Sequence, residues 1–215
     1  IMKVPAFRGC DEPFIARVAE NTKVFEASPG TAVVSHGEFT KDVYINFDGL
    51  LDITYLLEDG KKVTFDLITP HRLFGEISSL DGRCRSATIS CFTKAIVGKI
   101  DNRFFSEKML THTPFLMGLL RRLSVTVRKN NQQIVHLASA DSRKRVIIQL
   151  LRLSRPIAEN SQILEVIQGF SHDALASFVG LSRETVTRMI TLLKRDGLIF
   201  QTQKGVICID VDKIS

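Results

Sequence analysis

The sequence predicts an α+β fold, and three observations predict it. Between Gly30 and Ile100 apolar residues fall in short runs punctuated by His36-Gly37, Asp48-Gly49, Asp59-Gly60 and Asp81-Gly82, the grammar of an antiparallel all-β unit with turns every roughly 8–12 residues. Over residues 111–140 the apolar period changes to that of one long helix. From Phe170 onward come two short amphipathic helices and then two apolar runs suited to a hairpin.

In chain order, Phe14, Ile15, Val18 and Ala19 give a short helical pattern within residues 3–27. The β runs are Thr31 to Val34, Val43 to Ile45, Leu50 to Leu57, Lys62 to Ile68, Ser86 to Phe92 and Ala95 to Ile100. Inside them Leu73 to Ala87 carries chemistry. Gly75 permits close backbone approach, Glu76 offers an acceptor for a ribose hydroxyl, and Arg85-Ser86 supplies a guanidinium fork and a hydroxyl for a cyclic phosphate. By spacing alone a turn that holds these residues for folding is the commoner explanation.

Leu116, Leu120, Leu123, Val127, Asn130, Ile134 and Leu137 alternate four and three apart, the a/d seam of a coiled coil, while Arg121, Arg122, Arg128, Lys129, Gln132 and Gln133 leave the other faces polar. The seam predicts a homodimer. Asn130 interrupts it beside Asn131, and a seam Asn commonly fixes register. Asp141 caps the next helix, whose apolar side is Val146, Ile147, Leu150 and Leu151. The boundary between sensor and reader is therefore expected near residue 140, with domains at 1–110, 111–140 and 141–215. Pro156 to Gln168 should be a loop with one strand, Ile163 to Ile167.

Ser171 and Ser182 stand at N-cap positions, Phe170/Leu175 and Leu181/Val186 as hydrophobic staples, and Gly180 and Gly197 as stops. Leu175, Phe178 and Val179 face one way in the first helix. Val186, Met189, Ile190 and Leu193 do so in the second. Its other face carries Arg183, Glu184, Thr187, Arg188, Thr191 and Arg195, a strip of long polar side chains able to read base edges in a major groove. LIFQTQKGVICIDV then supplies a wing turning at Gln203-Lys204-Gly205.

The run Gly180-Leu181-Ser182-Arg183-Glu184-Thr185-Val186-Thr187-Arg188, with Leu192-Leu193-Lys194 and Gly197-Leu198-Ile199, resembles the winged helix of the cyclic-AMP receptor protein (CRP/FNR) family. Gly75-Glu76 followed by Arg85-Ser86-Ala87 is similar to that family's phosphate-binding cassette. The resemblance implies a jelly-roll effector domain, a dimerisation helix and a winged helix-turn-helix. It implies cyclic AMP (cAMP) held by Gly75, Glu76, Arg85 and Ser86, with Asn130-Asn131 where relatives offer Thr-Ser to the purine. It also implies double-stranded DNA as partner: Arg183 and Arg188 on guanine, Glu184 on cytosine, Thr187 where base preference varies, and a TGTGA-like inverted repeat. RNA polymerase is a further partner it implies.

The 215 residues have room for one or two domains, and 44% hydrophobic with 24% charged is ordinary for a globular chain. Net charge is +6: −1 over residues 1–110, +4 over 111–140 and +3 over 141–215. The positive balance thus sits with the expected reader. No apolar run approaches the roughly 20 residues that span a bilayer, and no basic start with an apolar core marks a secretion signal, so a cytoplasmic location without membrane contact is expected. Cys10, Cys84, Cys91 and Cys208 form no C-x-x-C pair, which argues against zinc or an iron–sulfur cluster. The five histidines show no metal spacing, and no P-loop or dinucleotide fingerprint occurs, so an enzyme is not expected. Two other readings remain: a haem or other small-molecule sensor of the same fold, with His71 or Cys84 as ligand, and a cyclic-nucleotide-binding signalling module that contacts protein instead of DNA.

Overall fold

A computed structural model describes residues 1–60, 62–139, 141–158, 161–166, 171–202 and 206–214, the side chains of 136–139 excepted. The chain forms two compact units, Ile1–Lys129 and Asn130–Ser215.

In the first unit a 3-10 turn at Pro5–Phe7 leads to α1 (Glu12–Glu20), started by Asp11, which accepts a bond from the Phe14 N–H. Eight strands follow: β1 (Thr22–Ala27), β2 (Ala32–Val34), β3 (Val43–Asp48), β4 (Leu51–Leu56), β5 (Lys62–Ile68), β6 (Arg72–Phe74), β7 (Thr88–Cys91) and β8 (Ala95–Ile100). They make two four-stranded sheets, in order β1-β8-β3-β6 and β2-β7-β4-β5, with every pairing antiparallel. One core lies between the sheets, with Tyr44, Leu51, Ile68, Phe74, Ile89 and Val97 among its members. A second core lies on the other face of the first sheet. There Val43, Ile45, Leu73 and Ile100 meet Phe7, Phe14, Val18, Phe105, Phe115 and Leu119. β3 serves both, because successive strand side chains point to opposite faces: Tyr44 inward between the sheets, Val43 and Ile45 toward the helices.

Between β6 and β7 lies α2 (Glu76–Asp81), and after β8 come α3 (Asn102–Phe104) and a π-helical turn at Phe105–Met109. α4 (Thr113–Ser139) is the long helix the periodicity predicts. It buries Phe115 and Leu119, each worth about 1.5–3 kcal/mol. Gly118 lets the helix sit that close, since a Cβ there would lie 2.3 Å from the Ala6 carbonyl oxygen. Of the predicted seam, Leu123 packs against that same core, while Leu120, Val127 and Ile134 are 48%, 57% and 64% exposed. Leu137 of that seam has no described side chain.

In the second unit α5 (Ser142–Arg152) is capped by Asp141, as expected, through the Lys144 N–H at 2.8 Å. Strands β9 (Ser154–Pro156) and β10 (Ile163–Val166) join β11 (Ile199–Gln201) and β12 (Ile207–Asp210) in the order β11-β12-β10-β9. α6 (His172–Val179) and α7 (Arg183–Arg195) bury Leu175, Phe178, Val179, Val186, Met189, Ile190 and Leu193, every predicted core position of the pair. The hairpin β11–β12 is present, while Gln203-Lys204-Gly205 and the Phe170/Leu175 staple involve residues outside the description.

Strands β1, β6 and β9 and helix α2 are not among the runs read from sequence. β1 is an edge strand, mostly exposed until Ala27, so it has no apolar alternation to betray it. β6 and β9 are three residues each, too short for a period. Among the described residues no helix is long and apolar enough to cross a membrane, and no three His, Cys, Asp or Glu side chains are grouped to hold a metal.

Candidate functional site

The first candidate site forms where β6 runs into α2. Gly75 has φ 79°, left-handed, at the N-cap of α2. A Cβ there would stand 3.1 Å from Arg85 Nη1 and 3.2 Å from the Asp42 carbonyl oxygen, so both torsion and space select glycine. Gly75, Glu76 and Arg85 are brought together. Arg85 is only 3% exposed. It donates from Nε to Thr40 Oγ1 at 2.9 Å, from Nη1 to the Gly75 carbonyl at 2.7 Å and Ser78 Oγ at 2.6 Å, and from Nη2 to the Asp42 carbonyl at 2.7 Å. A charge this deep must be satisfied from within, and these four acceptors do it. Ser86, one residue on, is exposed.

Glu76 is 4% exposed, and its Oε1 accepts a bond from Arg122 Nη2 of α4. Arg122 Nη1 donates to the Leu73 carbonyl in the middle of β6. Arg122 is therefore a site residue, although by period it falls among the polar faces of the helix. Its signal was available: it lies three residues after Leu119 and seven after Phe115, on the buried side of the helix. His71 occupies the turn before β6 at φ 65°, its N–H bonded to the Asn46 carbonyl at 2.7 Å, and Cys84 is exposed. Asn130 and Asn131 are exposed on α4, in the second unit.

The second candidate site is the outer face of α7. Gly180, at φ 66°, ends α6, and the Ser182 hydroxyl caps α7 by accepting from the Thr185 N–H at 3.2 Å. With four apolar side chains buried on one side, Arg183, Glu184, Thr187, Arg188, Thr191 and Arg195 are all exposed on the other, as predicted. The Glu184 carboxyl is held below its ordinary range, first by its own backbone N–H, then by the Ser182 hydroxyl, with the nearby Arg183 charge adding less. It therefore stays an acceptor to a lower pH than an ordinary glutamate does. Arg183 Nη1 lies 3.7 Å from Asp173 Oδ2, and His172 Nδ1 lies 2.8 Å from Thr187 Oγ1, so the start of α6 touches the strip twice.

A β-roll carrying a glycine-glutamate-arginine cluster, followed by a helix-turn-helix with a wing, defines the class of effector-sensing transcriptional regulators. Residues 24–112 match the cyclic nucleotide-binding domain family and residues 144–215 the Crp-like helix-turn-helix domain family. The chain belongs to the CRP/FNR family of DNA-binding transcriptional regulators. A CRP-like cAMP-activated global transcriptional regulator of Mycobacterium tuberculosis is 25% identical over 210 residues, 97% of this chain and 94% of that protein. The transcriptional regulator LdrP of Thermus thermophilus is 26% identical, covering 81% of this chain and 86% of its own. Among solved structures, the c-di-GMP responsive global regulator CLP of Xanthomonas campestris has the same fold, with TM-score 0.77 at 22% identity over 92% of this chain and 98% of that one.

Proposed function

We propose that the protein is a homodimeric, cytoplasmic regulator that reads a TGTGA-like inverted repeat in double-stranded DNA and whose affinity is set by a cyclic nucleotide, cAMP first. Residues 1–110 sense, 111–140 pair two chains along Leu120, Val127 and Ile134, and 141–215 read. The observation that carries this reading is α7, apolar and buried on one side and charged and exposed on the other. Two such helices related by a two-fold axis enter successive major grooves roughly 34 Å apart. Arg183 and Arg188 are suited to guanine, Glu184 to the cytosine amine, and Thr187 to the adjoining pair. RNA polymerase is the partner such a regulator would meet once on DNA.

For the nucleotide, the residues present fit in part. Gly75 leaves room for close approach, Ser86 offers an exposed hydroxyl, and Glu76 is already fixed by Arg122. Arg85 would have to turn from Ser78 and Thr40 to meet a phosphate. Asn130 and Asn131 have amides that suit a purine edge. The inward engagement of Arg85 also favours a second reading, in which the effector of this same fold is another small molecule, such as haem.

Titration with cAMP, cyclic GMP and a haem source, reading affinity for a TGTGA inverted repeat, tests the effector. If none shifts affinity, the ligand assignment fails and the DNA assignment stands. Arg183→Ala tests the reader: sequence preference should fall more than affinity for random DNA, and equal loss on both would refute the assignment. Binding should also weaken steeply with salt, as phosphate contacts require; a protein-contact module would not show this.

A further inference from the structure

We infer that His172 is a specificity-positioning residue, which holds the Thr187 hydroxyl out at the DNA-facing surface and fixes whether it donates to or accepts from a base. This deepens the assignment of α7 as reading helix and rests on it. The hydroxyls of Thr126, Ser124 and Thr191 turn back onto their own helices, to the carbonyls of Arg122 at 3.2 Å, Leu120 at 2.9 Å and Thr187 at 3.0 Å. That is the habit of a serine or threonine within a helix. Thr187 does otherwise: its Oγ1 is met from another helix by His172 Nδ1, at 2.8 Å. The imidazole belongs to the first residue of α6, and its place is fixed by the Ser171 cap through the Ala174 N–H at 3.1 Å.

The consequence follows from the inventory of the two groups. A hydroxyl has one proton to give and two lone pairs, and in a neutral imidazole Nδ1 is either donor or acceptor. If Nδ1 accepts, the Thr187 proton is spent on it and only lone pairs face outward, matching the amine of adenine or cytosine. If Nδ1 donates, the Thr187 proton is free for guanine O6 or N7 or thymine O4. Base preference at one position of the half-site is thus decided by two residues on two helices. Arg183, which meets Asp173 and not His172, sets its own position, as do Glu184 and Arg188.

The test measures affinity of the full-length protein for a panel of inverted repeats in which each half-site position is varied symmetrically through all four bases. His172→Ala should change preference at one position by about 3- to 10-fold, the worth of one hydrogen bond, and leave the other positions as they were. In a Thr187→Val background the same substitution should change nothing further, and His172→Asn, whose amide can stand where Nδ1 stands, should restore the wild-type preference. A uniform loss on every sequence, or the same change with Thr187→Val present, would overturn the inference. Arg183→Ala is the control. If it alters preference and His172→Ala does not, only this inference falls; if neither does, the reading face itself is misassigned.

Discussion

Arg122→Ala should destabilise the first unit far more than an arginine on a polar helix face would. The side chain is 17% exposed, and its partner Glu76 is 5%. Removing the guanidinium leaves a carboxylate in the interior with no counter-charge and strips the Leu73 carbonyl of a donor. Breaking one side of a buried pair costs about 3–5 kcal/mol, against about 0–1 kcal/mol for an exposed pair. For a chain of this size each kcal/mol moves the midpoint by about 2–4 °C, so a fall of about 6–20 °C is expected. Thermal unfolding followed by circular dichroism would measure it, in the wild type, Arg122→Ala, Glu76→Gln and the double variant. The double variant should lose much less than the two single losses added together, because the uncompensated charge is gone. A loss below about 1 kcal/mol for Arg122→Ala, or strict additivity, would refute the reasoning and return Arg122 to the solvated face.

Gly75→Ala should cost about 1–3 kcal/mol, since it places a Cβ at φ 79° and 3.1 Å from Arg85 Nη1; denaturant unfolding would show it. Leu120→Lys with Val127→Lys should halve the mass seen by sedimentation, because it puts charge on the seam; a wild type already monomeric at micromolar concentration would remove the pairing proposal. Cys84 should react at once with a thiol reagent, whereas Cys91 and Cys208 should wait for unfolding. Burial, more than the charge of Asp52 or Glu165 respectively, raises both thiols and keeps the thiolate scarce.

The features legible in the sequence are those whose causes lie within a few residues. Asp141, Ser171 and Ser182 cap helices because each oxygen meets an N–H three residues on. The turns at Gly37, Gly49, Gly60 and Gly82 all have the positive φ that glycine permits. The apolar face of α7 was likewise fixed by period alone, and with it the exposed reading strip.

What the tertiary structure decided is where charge goes once it leaves water. Arg85 carries the same motif whether it faces a ligand or the interior, and only the carbonyls of Gly75 and Asp42, the latter 43 residues distant in sequence, show that it faces the interior. Arg122 looks solvated in a helical wheel, yet it is matched to a carboxylate 46 residues away. The His172–Thr187 pair spans two helices and 15 residues. In each case a polar group buried or held at a surface must find its partner in space, and no local period records where that partner will be.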